Sequence, residues 1–127
     1  TDYLRNFAKS AIYSTALPPA ILAANFKALQ IIEKDKKLAL KTIDNANYFC
    51  DLLEIPRIQS AIVILIIGKA GEAVRIANKI KESGFLISAI RPPTVSKNSS
   101  RLRIAFCTHH KKSDILRLAK NIQRILD

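Results

Sequence analysis

The sequence predicts an α+β fold: a long N-terminal helix or helix pair, then a three-stranded, mainly antiparallel sheet with helices packed on one face. Three observations predict it. Apolar residues recur at helical spacing from Ala20 to Leu53, the run Ala61 to Ile67 (AIVILII) is β-branched and continuously apolar, and further short apolar segments alternate with amphipathic ones up to the C-terminus. With 127 residues, 49% apolar and 24% charged, the chain is long enough for one core and too apolar for wholesale disorder.

Residues Tyr3 to Leu17 show no sustained period and end in Leu17-Pro18-Pro19, which reads as an extended arm leading into a helix. Pro19 suits the first helical position, where its missing N–H costs nothing. Leu22, Phe26, Leu29 and Ile32 follow a helical period, and Leu38, Ile43, Ala46, Phe49, Cys50 and Leu53 continue one as far as Pro56. Ile58 to Ile67 has the signature of a strand covered on both faces. Ala73 to Lys81 is amphipathic and meets Gly84 at a left-handed capping position. Phe85 to Ile90 and Leu102 to Cys107 read as the second and third strands, and Ser113 as the N-cap of a last helix along Ile115, Leu118, Ile122 and Leu126. Residues 1–19 have no partner in this layer, yet carry Tyr3, Leu4, Phe7, Ile12, Tyr13 and Leu17. They read as an arm of something larger, with residues 20–127 as the domain proper.

Twenty-one basic residues against ten acidic give a net charge of +11, which admits a polyanionic partner. The lysines are spread through every helix and are not interleaved with stacking aromatics, so a solvated surface is favoured over a basic nucleic-acid-binding module. Cys50 and Cys107 lack metal-ligand spacing, and both read as buried reduced thiols. The longest apolar run is far below the roughly 20 residues of a membrane helix, and a signal-peptide pattern is not seen, so cytoplasmic residence is expected.

The connection IRPPTVSKNSSRLRIAF (Ile90 to Phe106) combines fixed backbone with positive charge. Arg91 precedes Pro92 and is pushed toward an extended conformation. Arg101 and Arg103 are two apart and share one face of a strand. Either this is a rigid solvated turn or an anion-binding edge. His109 and His110 are adjacent, so on a strand they face opposite sides and do not act together; His110 reads as structural.

DYLRNFAKSAIYSTALPPAILAA (Asp2 to Ala24), GFLISAIRPPTV (Gly84 to Val95) and RLRIAFCTHH (Arg101 to His110) together resemble the C-terminal part of the α-oxoamine synthases. These are pyridoxal 5'-phosphate enzymes of the aminotransferase-like fold (fold type I), which condense an amino acid with an acyl thioester and release carbon dioxide. The forms STALPP and AIRPPTV are most similar to the branch serving biotin synthesis, which implies L-alanine and a pimeloyl-CoA-like thioester as substrates. The branches that make 5-aminolevulinate, or act as glycine C-acetyltransferases, tend to a tyrosine in place of Pro92.

The resemblance implies that this chain is the small domain and that a large domain, or its separate chain, is missing. In the family that large domain carries the Schiff-base lysine, and the intact enzyme is a homodimer. No lysine here lies in a Ser/Thr-x-Lys-Ala-x-Gly-like context and no glycine-rich phosphate cradle is present, so the chain alone is expected to be inactive. Arg103 matches the residue that binds the substrate carboxylate, a role suited to a planar guanidinium fixed on a strand. Thr94 matches a loop residue beside the acyl substrate, with Pro92 and Pro93 restricting that loop. Arg101 is expected in a structural ion pair. Ser14 and Thr15 match a segment reaching the cofactor phosphate of the neighbouring subunit; the alternative is an ordinary turn before Pro18. The family's Pro-x-Gly-Thr continuation is replaced by Ser96-Lys97-Asn98-Ser99, where Asn98 can adopt the left-handed conformation glycine would supply and the loss of a proline at Ser96 loosens the loop. A non-functional remnant of such a gene is the remaining alternative.

Overall fold

The computed structural model describes residues 1–14 and 16–126, and the chain divides into two compact units, Thr1–Lys36 and Lys37–Asp127. The first unit holds α1 (Asp2–Phe7), α2 (Lys9–Ile12) and α3 (Pro19–Lys34). The arm is therefore partly helical where an extended chain was expected. Local contacts account for the first turn and a half: Tyr3 and Phe7 stack with ring centroids 4.7 Å apart, and Arg5 reaches Asp2 at 3.3 Å. Pro19 opens α3 at its first position, as its fixed φ favours. No described residue of this unit is buried, so Leu22, Phe26, Leu29 and Ile32 are all exposed.

The second unit carries α4 (Lys37–Leu52), β1 (Ile62–Gly68), α5 (Ala70–Glu82), β2 (Ser88–Ile90), β3 (Ser100–Ala105) and α6 (Lys112–Leu126). The helical pattern from Ala20 to Leu53 is thus a pair, interrupted at Asp35–Lys36. The strands form one antiparallel sheet in the order β1-β3-β2. Phe49 and Cys50 of α4, Ile76 and Ile80 of α5, and Leu118 and Ile122 of α6 meet Val63, Leu102 and Ile104 from one face of the sheet in a single core. Burial, with the Asp51 charge beside it, pushes the Cys50 thiol up, which keeps it protonated.

Three readings are corrected. Ile64 and Ile66 are exposed, so β1 is covered on one face only: every helix that packs on the sheet does so from the Val63 side. Cys107 is exposed, because the alternation that turns Phe106 inward turns the next residue out. α6 begins at Lys112, so Ser113 lies inside its first turn; the Asp114 and Ile115 amides bond instead to the Lys111 carbonyl at 3.0 and 3.1 Å.

Gly84 does close α5 as expected, at φ +88°. The Phe85 amide bonds the Ile80 carbonyl and the Gly84 amide that of Lys81, the two bonds of a Schellman motif. Arg57 grips the Asp51 carboxylate through Nε and a terminal nitrogen, both at 2.8 Å, and this pairing holds the carboxyl below its usual range.

Candidate functional site

The sheet register sets the site. Because paired residues of neighbouring strands share a face, the open side of the sheet reads in rows: Ile64, Arg103 and Ser88 in one, Ile66, Arg101 and Ile90 in the next. Two cations therefore sit on a face lined mainly by isoleucine side chains. Arg103 is exposed on the central strand, held in direction by pairing on both sides, and its guanidinium makes no hydrogen bond or ion pair to any described residue. Arg101 is half-buried, and its Nε donates to the Ser99 carbonyl at 2.9 Å. Among the described residues it has no carboxylate partner, so the expected ion pair is replaced by a bond to the loop backbone.

That bond ties down one end of the loop joining β2 to β3. The Ser99 amide and hydroxyl both donate to the Ser96 carbonyl, at 3.2 and 2.8 Å. Asn98 lies between them at φ +61°, the left-handed conformation its side chain tolerates better than most. At the other end the Pro92–Pro93 bond is cis and the Thr94 amide closes a turn on the Arg91 carbonyl at 3.1 Å. Thr94 is exposed in this loop, and Arg103 stands two residues further down the hairpin than Arg101, the partner of Ile90. The loop is thus fastened at each foot by backbone bonds even without the proline at position 96.

Ser14 is exposed in the first unit, after α2; Thr15 lies outside the described residues. His110 is structural in geometry: its Nδ1 accepts the Cys107 amide at 3.2 Å and its ring meets Phe106 edge-on. The buried Asn45, which sequence reasoning missed, donates to the carbonyls of Cys107 at 2.9 Å and His110 at 3.3 Å and so fixes the turn leaving β3. Its only signal was a polar residue at a core position of α4, next to Ala46.

The open face can hold one planar anion, since an unengaged guanidinium offers two parallel N–H donors to a carboxylate. The residues do not fit a pyridoxal phosphate group. No lysine stands in the rows around Arg103, Gly71 lies inside α5, and Gly68 and Gly84 serve a strand bulge and a helix end. No group of three or more His, Cys, Asp or Glu capable of holding a metal ion occurs among the described residues, and no described helix is long and apolar enough to cross a membrane.

Comparison with known proteins agrees with the sheet and its helices. An 8-amino-7-oxononanoate synthase from Methylocella silvestris is 40% identical over 125 residues, which is 98% of this chain and 36% of that protein. The crystal structure of 8-amino-7-oxononanoate synthase from Francisella tularensis superposes with a TM-score of 0.78 at 27% identity, over 98% of this chain and 38% of the other. A serine palmitoyltransferase from S. paucimobilis with bound PLP-myriocin aldimine superposes at 0.86 with 18% identity, covering 98% of this chain and 33% of that one, a likeness of fold alone. The chain spans about a third of the length of these relatives. The family pattern "aminotransferase class I and II" runs through residues 1–122, across both units, and on that match the chain belongs to the class I and II aminotransferase family.

Proposed function

We propose that this chain is the C-terminal, carboxylate-binding part of a cytoplasmic pyridoxal-phosphate-dependent acyltransferase. The intact enzyme condenses L-alanine with a pimeloyl-CoA-like thioester and releases carbon dioxide, the 8-amino-7-oxononanoate synthase reaction of biotin synthesis. The observation that carries the reading is Arg103, a guanidinium without a partner among the described residues, mounted on the central strand of an open face lined mainly by isoleucine. The 40% identity to 8-amino-7-oxononanoate synthase supports the choice of reaction.

In this reading the cofactor and its lysine belong to the two thirds of the enzyme that this chain does not span. The chain supplies binding and orientation. Arg103 takes the amino acid's carboxylate in a bidentate grip, Thr94 on the fastened loop flanks the acyl chain, and Ser14 and Thr15 offer hydroxyls to the cofactor phosphate of a second subunit in a homodimer. Alone the chain is inactive, because a positioned carboxylate without the cofactor has no path to carbon–carbon bond formation.

The test is a chimera in which this chain replaces the matching third of the Methylocella silvestris enzyme, assayed for thiol release from the acyl thioester with L-alanine. The unmodified chimera turns over, and Arg103→Ala lowers kcat/KM by roughly a hundredfold or more, as loss of a charge-assisted bidentate contact does. Arg103→Lys keeps the charge without the fork and falls between. A folded, active chimera indifferent to Arg103→Ala would remove the proposal.

A further inference from the structure

We infer that Ser88 is a second ligand of the carboxylate that Arg103 binds, and that the pair, not the two arginines, forms the anion seat. The inference rests on the reading of Arg103 given above. Ser88 and Arg103 are directly paired across β2 and β3, on the open face. Side chains so placed have Cβ atoms roughly 5 Å apart, close enough for one carboxylate to touch both. Ser88 is exposed, and its hydroxyl bonds to no described residue.

The neighbours decide against the alternatives. Ile64, on the other flank of Arg103, has no hydrogen bond to give. Arg101, one row nearer the loop, is flanked by Ile66 and Ile90 and has its Nε committed to the Ser99 carbonyl. An ionised carboxylate has about four lone-pair sites; the guanidinium fork fills two, and a hydroxyl donor at its side fills a third. Ser88 therefore limits the tilt of the carboxylate about the line of its two oxygens, which the two parallel bonds of Arg103 leave to Ile64 and to water. It is a binding and positioning residue, with no part in proton transfer.

The experiment uses the 127-residue chain, 15N-labelled, with sodium acetate as probe against sodium chloride at matched ionic strength. The Nε–H signals of all eight arginines are followed together, so that general screening of a +11 protein is separated from a local site. The expected result is an acetate-specific, saturating shift at Arg103 and not at Arg101. Ser88→Ala weakens it by roughly tenfold, the scale of one hydrogen bond to a charged group, and Ser88→Thr restores it to within about twofold. Ser88 is exposed on a three-residue strand, so the variants keep the fold, checked by the rest of the amide spectrum. An Arg103 response unchanged in Ser88→Ala overturns this inference and leaves the anchor standing. No acetate-specific response at Arg103 overturns the anchor and with it this inference.

Discussion

Two buried polar side chains in the second unit have opposite energetics. The Ser100 hydroxyl is fully buried and has no hydrogen-bond partner among the described residues. Asn45 is almost as buried but donates to two carbonyls 62 and 65 residues away in sequence. A buried group without a partner costs its desolvation, whereas removing a partnered one orphans the groups it served. Ser100→Ala is therefore expected to be neutral or stabilising by about 1 kcal/mol, and Asn45→Ala to cost about 2 kcal/mol, both read from urea unfolding midpoints at constant slope. A loss above about 1 kcal/mol for Ser100→Ala would mean that its hydroxyl is satisfied in solution. At this scale the sequence was legible wherever local conformation sufficed: Asn98 takes the left-handed backbone its side chain tolerates, and Gly84 the one its missing Cβ permits. It was silent wherever a partner came from another strand. Ser88 sits beside Arg103 only through a register that one sequence does not reveal.

Among the elements, β1 shows how far a hydrophobic pattern reaches. Its unbroken apolar run, AIVILII, describes a strand with cover on both sides, and this chain supplies a layer for one. The pattern was right about the strand and wrong about its surroundings, because a continuous apolar run does not record which of a strand's two faces is covered. Val63 is 2% exposed while Ile66 is 69% exposed, three positions along the same strand. Ile66→Thr is accordingly expected to change stability by less than about 0.5 kcal/mol and to raise solubility, since it puts a polar group into a continuously apolar edge strand. Leu102→Ala, at a fully buried position of the central strand, is expected to cost about 2–5 kcal/mol. Thermal unfolding and a sedimentation assay on the same samples separate the two effects. An Ile66→Thr loss as large as that at Leu102 would show that the outer face is covered in solution.

For the whole chain, the division into Thr1–Lys36 and Lys37–Asp127 matters more than either helix count or charge. Every residue of the core, from Ala46 to Ile122, belongs to the second unit, and none of the described residues of the first is buried. The large apolar side chains of α3 are all about half exposed or more, and its 16 residues of helix rest mainly on propensity, a proline start and local bonds. A helix of that length without tertiary cover is marginal in water. Hydrogen exchange of the full chain is thus expected to show amides of 19–34 exchanging close to the unprotected rate while those of β3 and α6 are protected to the limit set by global unfolding. A truncated chain, residues 37–127, is expected to unfold with the same midpoint and slope as the whole, within about 0.5 kcal/mol. Strong protection in 19–34, or a truncated chain that no longer unfolds cooperatively, would show that the apolar face of α3 finds its cover within this chain and not in the two thirds of the relatives that lie outside it.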